Sequence, residues 1–193
     1  MTVAILFARR DSVYKTLPDC DVWDEDRDAR RWPGGCPVVA HPPCRGWGQL
    51  RHLSNPVPGE RELALTAVEF VRLHGGVLEH PKLSTLWSTA GLPHPGRCDD
   101  FGGWTMPVFQ SWFGHRADKP TLLYIVGTRD LPPLPLALGD APRICGSSGR
   151  RRDGTRLHSG DPGFRSEITK AEREHTPIEF ARWLVEVAKR CKS

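Results

Sequence analysis

Three short segments of the sequence carry side chains that can do chemistry. In Val38-Val39-Ala40-His41-Pro42-Pro43-Cys44-Arg45 an apolar run ends on two prolines, which fix the backbone and present Cys44 on a rigid turn. Cations beside a thiol favour its thiolate, so His41 and Arg45 are expected to activate Cys44. In Gly76-Val77-Leu78-Glu79-His80-Pro81 a second apolar run delivers a carboxylate. The third segment, Gln110-Ser111-Trp112-Phe113-Gly114-His115-Arg116-Ala117-Asp118-Lys119-Pro120-Thr121, supplies polar and cationic groups just ahead of a buried run. Each has an ordinary reading alone: a turn with a buried thiol, a paired glutamate, a polar loop. Together, a thiol nucleophile and a carboxylic acid delivered by neighbouring strands can converge on one small planar substrate.

The elements that must position them follow from periodicity. Short apolar runs at 3–7, 20–24 and 36–40 read as strands, the second weaker and ending in acid. Residues 60–73 read as a helix with Leu63, Ala64, Ala67, Val68 and Val71 on one face, stopped by Gly75-Gly76 and followed at once by the strand Val77-Leu78-Glu79. Strand, helix, glycine turn, strand is the pattern of a right-handed crossover between parallel strands. Residues 84–89 read as a helical turn, and 108–110 and 121–126 as later strands. Thr176-Pro177-Ile178-Glu179 predicts a capping box opening a last helix, served by Glu174 and His175, with Ile178, Ala181, Leu184, Val185 and Ala188 turned inward. The expected fold class is α/β: one domain with a mostly parallel sheet, its core formed by 1–127 plus 169–193, and a Pro-, Gly- and Arg-rich excursion at 128–168. In such sheets ligands bind beyond the carboxyl ends of the strands, which is where these segments fall.

At 193 residues, 38% hydrophobic and 26% charged, the chain is long and apolar enough for a globular domain. No stretch approaches the ~20 apolar residues of a membrane span, and the first residues lack a basic lead and a cleavage site, so no membrane partner and a cytoplasmic location are expected. Six cysteines without a C-x-x-C spacing argue against a zinc knuckle or a thioredoxin-like motif and for free thiols in a reducing compartment. His94, Asp99 and Asp100 read as turn residues, and no metal is expected. The net charge of +4 is concentrated: residues 141–170, including Arg150, Arg151 and Arg152, hold seven cations against three acids. Such a segment suits a polyanion or forms a solvated loop. Trp47, Trp87, Trp104 and Trp112 fall in or near the loops of the expected site, most as packing and one as a stacking surface for a base.

On these segments the sequence resembles a known family. Pro42-Pro43-Cys44 after an apolar strand looks like the Pro-Cys nucleophile motif of DNA cytosine-5 methyltransferases, and Glu79 in Val-Leu-Glu-His-Pro falls where that family has Glu-Asn-Val or Glu-Asn-Pro. Gln110 followed by His115, Arg116 and Lys119 is similar to, though looser than, its Gln-x-Arg-x-Arg motif, and the terminal amphipathic helix is similar to the one that closes its sheet. The resemblance spans roughly residues 35–127 plus that helix and implies a Rossmann-like methyltransferase sheet in reduced form. It implies Cys44 as the nucleophile adding to C6 of a flipped pyrimidine and Glu79 as the partner of N3. Pro43, Arg45, Gln110, His115, Arg116 and Lys119 would contact the base or a phosphate. S-adenosylmethionine would be the methyl donor, held near Phe7 and by Asp24 at the end of the second strand, where an acid often holds a ribose. DNA would be the partner, with the basic excursion, including Arg150, Arg151 and Arg152, standing for the target-recognition region. The chain departs from the family at Leu6-Phe7-Ala8-Arg9-Arg10-Asp11-Ser12, where no glycine loop follows the first strand, and at 25–36, where a strand and a helix are missing.

Three functional classes remain open at this point. The first is a DNA pyrimidine-modifying enzyme placing a methyl or other group on C5. The second is a non-catalytic DNA-binding relative that masks sites or antagonises restriction. The third is an enzyme of free pyrimidine nucleotides, with Arg9 and Arg10 holding a phosphate. The compact size suits a phage product acting in a bacterial host cell.

Overall fold

Val3-Ala4-Ile5-Leu6 is apolar at every position and forms the strand β1 (Val3–Leu6), wholly withdrawn from water. A run apolar on both faces belongs inside a sheet covered on both sides. The computed structural model describes residues 1–49, 51–136, 140–145, 149 and 151–192. In it β1 is flanked by β2 (Cys20–Trp23) and β3 (Val38–Ala40), both parallel to it. β4 (Gly76–Pro81) lies parallel beside β3; β5 (Trp104–Phe109) and β6 (Pro120–Val126) complete the order β2-β1-β3-β4-β6-β5. β6 runs antiparallel to both its neighbours.

The two-residue alternation of the strands sorts their side chains between two layers. Val3, Ile5, Val39, Val77 and Ile125 pack with helix α4 (Ile178–Lys189), while Ala4, Leu6, Val38, Leu78 and Tyr124 pack with helix α1 (Glu60–His74). α4 buries Phe180, Ala181, Trp183, Leu184, Val185, Val187 and Ala188. At roughly 1.5–3 kcal/mol per large apolar side chain, this burial outweighs the weak intrinsic stability of so short a helix. Gly75 ends α1, and Gly76 opens β4 with a φ of 126°. A Cβ on Gly76 would lie 2.0 Å from the Val38 carbonyl oxygen, so β4 reaches its register beside β3 as a glycine or not at all.

Four expectations are corrected. β5 starts at Trp104 rather than near 108; Pro107, which argues against a strand in the sequence, is accommodated because β5 is an edge strand. A short helix, α3 (Lys170–Glu174), forms where none is expected, with Thr169 accepting from the Glu172 N–H as its cap. The capping box of α4 does not form: Pro177 holds the cap position with no side-chain bond. Glu174 and His175 pair instead with Arg9 and Asp11. The helical turn near 84–89 is present as α2 (Leu86–Thr89).

The β1–β2 connection contains a single 3-10 turn, Val13–Thr16, and the β2–β3 connection another, Ala29–Arg31. The excursion is tied back to the core by single bridges joining Ala117 to Arg143 and Ile144 to Glu167. Among the described residues no helix is long and apolar enough to cross a membrane.

Candidate functional site

From β1 the chain passes to β2 on one side and then crosses to β3 on the other, so the carboxyl ends of β1 and β3 flank a switch point of the kind that holds ligands. The antiparallel course of β6 brings its first residues to the same edge, with Thr121 in register with Pro81 at the end of β4. The 110–119 loop between β5 and β6 therefore closes onto the ends of β3 and β4. Two non-glycine residues here have left-handed backbone: Phe7, directly after β1, at a φ of 58°, and Lys119, directly before β6, at 42°. Such conformations cost about 1–3 kcal/mol and gather where function constrains the chain.

Glu79 is the centre of a hydrogen-bonded network drawn from five segments. Its Oε2 lies 3.1 Å from His41 Nδ1, and its Oε1 accepts from Gln110 Nε2 at 3.1 Å and from the Thr121 hydroxyl at 3.3 Å. The other ring nitrogen of His41, Nε2, is 2.8 Å from the Tyr14 hydroxyl. Tyr14 and Gln110 are fully buried, while Glu79 and His41 each keep 13% of their side-chain surface open to solvent. Burial pushes the Glu79 carboxyl up, but the hydrogen bond with His41 and the electrostatic influence of the neighbouring His41, Lys119 and His80 more than reverse this and hold it well below the ordinary carboxylate range. The Gln110 amide orientation is fixed by the same contacts, since a flip would set Oε1 against the carboxylate; as it stands, Oε1 is buried without a partner.

Cys44 lies on the turn after β3 and reaches solvent. Close packing around its thiol pushes the pKa up, Glu79 pushes it further, and Lys119 pulls it down. The sulfur and the carboxylate thus share one electrostatic environment, with the Lys119 ammonium acting on both. The expected activation by His41 and Arg45 is corrected. Arg45 donates to Glu60 on α1 at 2.7 Å, and His41 is committed to Tyr14 and Glu79, so Lys119 is the cation that favours the thiolate. Pro43 lies between His41 and Cys44, its carbonyl near the His80 ring though short of hydrogen-bond geometry. His80 itself is fully buried beside Trp87, neither nitrogen has a partner, and burial pushes its pKa down to about 4.

A second set of contacts lies around α3 and the residue after it. Lys119 Nζ donates to the His175 carbonyl at 3.2 Å, Arg116 is paired with Glu172, Arg9 with Glu174 at 2.6 Å, and Asp11 with His175 at 3.3 Å. This corrects the placement of two expected base contacts. Arg116 is spent on Glu172, and His115 is buried with its Nδ1 on the backbone of Ala117, so neither joins Glu79. Gln110 does, and Lys119 acts on Glu79 through its charge alone. Arg151 is bound to Asp161 and Thr155 within the excursion, Arg152 is exposed, and Arg150 lies outside the described residues. Trp47 and Trp87 direct their indole N–H groups to the carbonyls of Arg61 and Pro81, which makes them packing residues. Tyr14 and Thr121 were not legible as members of this site. Tyr14 comes from a 3-10 turn with no motif around it, and Thr121 looks like the first residue of an ordinary strand.

Comparison with family models, with curated proteins and with solved structures gave no match.

The residues expected to hold S-adenosylmethionine do not fit it. Asp24 is buried, its oxygens taken by Lys15 at 2.7 Å and by the amides of Asp26 and Arg27, so it closes a turn rather than offering acceptors to a ribose. Phe7 leads into Arg9 and Arg10, which are paired with Asp11, Glu174, Glu25 and Asp26. Asp99 accepts from the amides of Phe101 and Gly103 and from Tyr124, closing a turn. Among the described residues no three His, Cys, Asp or Glu side chains are grouped to hold a metal ion.

Proposed function

We propose that the chain is a DNA pyrimidine-modifying enzyme in which Cys44 adds to C6 of a base turned out of the stack while Glu79 engages N3. The observation that supports this reading is the placement of Cys44 on the turn after β3 and of Glu79 in the neighbouring β4, with Glu79 and the Lys119 ammonium both acting on the Cys44 thiol. The Cys44 thiolate forms the C6–S bond, and the ring electrons move to the carbonyl oxygen, where the Lys119 ammonium offsets the charge. C5 becomes electron-rich and takes a proton from water; its original hydrogen then passes to water as a proton while the C5–C6 double bond re-forms and the C6–S bond breaks, returning the electron pair to the Cys44 sulfur. This sequence needs no second substrate, and any group placed on C5 would enter at the same stage. The sheet order and the helices on both faces support a reduced Rossmann-like core.

DNA as the partner is supported by the basic excursion, whose bridge from Arg143 to Ala117 sets it beside the 110–119 loop. The second reading, a DNA-binding relative without catalysis, is favoured by one observation: the resting Cys44 thiol is pushed toward its neutral form. Incubating single-stranded DNA that contains uracil and cytosine with the protein in heavy water distinguishes them. Deuterium appears at pyrimidine C5 with the wild type and not with Cys44→Ala if the enzymatic reading holds. Retained DNA binding without exchange by the wild type selects the second reading.

A further inference from the structure

We propose that Tyr14 and His41 are positioning residues that hold Glu79 as a hydrogen-bond acceptor, so that the site selects a uracil-type base, whose N3–H donates, over cytosine, whose N3 accepts. The inference rests on the proposed addition chemistry and adds the substrate class. Its basis is the direction of the bonds around the carboxylate. Gln110 Nε2 donates to Oε1, and the Thr121 hydroxyl, whose one hydrogen also has the Lys119 carbonyl at 3.1 Å, lies 3.3 Å from it. His41 Nδ1, facing Oε2, must carry a hydrogen to bond it. In the neutral ring Nε2 is then an acceptor, and the group lying on it at 2.8 Å is the Tyr14 hydroxyl. Tyr14 is fully buried, and its burial and the Glu79 charge keep it protonated, so it remains a donor. The chain runs in one sense: Tyr14 O–H to His41 Nε2, His41 Nδ1–H to Glu79, with Glu79 receiving at both oxygens.

A carboxylate so surrounded has lone pairs to offer and no proton. Cytosine would set its N3 lone pair against it, and binding would require Glu79 to take up a proton while His41 and Gln110 already donate to it. A uracil-type ring presents N3–H instead, and its carbonyl oxygens suit the Lys119 ammonium, which acts on both Glu79 and Cys44. Sites built to bond one polar group discriminate strongly against the analogue that presents the opposite one.

The test is calorimetric titration at neutral pH with a short single-stranded oligodeoxyadenylate carrying one central uracil or one central cytosine, with C5 deuterium exchange followed on the same oligonucleotides. The wild type is expected to bind the uracil strand at least about tenfold more tightly. Tyr14→Phe frees His41 to place its hydrogen on Nε2 and is expected to narrow the preference to roughly threefold or less, with folding checked by its cooperative unfolding. Cys44-dependent exchange together with equal or tighter binding of the cytosine strand overturns this inference and leaves the addition chemistry standing. Absence of exchange on both strands overturns the addition chemistry and this inference with it.

Discussion

His80 offers the sharpest stability test, because it is a fully buried imidazole with no partner on either nitrogen. Burial lowers its pKa from 6.5 to about 4, against the opposing charge of Glu79. The folded protein therefore keeps His80 neutral in a range where the unfolded chain binds a proton there. Stability contributed by the neutral ring is complete above pH 6.5 and falls as pH drops toward 4. At 1.36 kcal/mol per pKa unit the whole loss is about 3 kcal/mol, of which about 2 kcal/mol is spent by pH 5. Glu79 acts in the same direction, but its depressed carboxyl loses its stabilisation only below the ordinary carboxylate range, so the interval above pH 5 reports on the histidine. Urea unfolding of wild type and His80→Leu at pH 8, 6 and 5 measures the difference. The variant is expected to match or exceed wild-type stability at pH 8, having lost two unpartnered buried nitrogens, and to gain on it by about 2 kcal/mol at pH 5. Parallel curves for the two proteins across this interval would refute the reasoning.

Four other variants probe the site and the strand that carries Glu79. Glu79→Gln removes the charge that raises the Cys44 thiol and Lys119→Met the charge that lowers it. Iodoacetamide labelling of Cys44 below its pKa, read by peptide mass spectrometry, is expected to quicken in the first and slow in the second. Tyr14→Phe leaves a buried ring nitrogen without its partner and is expected to cost about 1–3 kcal/mol in urea unfolding. Gly76→Ala would drive a Cβ into the Val38 carbonyl at a φ of 126°, and a loss exceeding about 4 kcal/mol, or failure to fold, is expected in thermal unfolding.

The parts of the fold legible in the sequence are those governed by local rules. β1, α1, the Gly75-Gly76 stop and the parallel β3–α1–β4 unit all follow from apolar periodicity and glycine placement. The antiparallel insertion of β6 between β4 and β5 does not, because pairing direction is decided by tertiary contacts that leave no mark on strand composition. Cys44, Glu79, Gln110 and Lys119 were found because motif order and strand ends point to them. Arg45, His115 and Arg116 were misplaced for one reason: a cationic or imidazole side chain in a loop looks available until its partner is seen, and Glu60, Glu172 and the Ala117 backbone lie far along the chain from the motif or inside its own turn. The same holds for Asp24, whose Lys15 partner sits in a different segment. Tyr14 was invisible because it reaches the site through His41 rather than through any spacing.

Exchange of the C5 hydrogen for deuterium, counted on uracil- and cytosine-containing single strands, tests most directly whether Cys44 and Glu79 act on one ring. Wild type and Arg116→Ala, whose guanidinium is held by Glu172 away from the network, are expected to exchange alike. Cys44→Ser and Glu79→Gln are each expected to abolish it. Exchange that persists without the sulfur, or a wild-type protein that binds the strands and leaves every C5 hydrogen in place, would contradict the account.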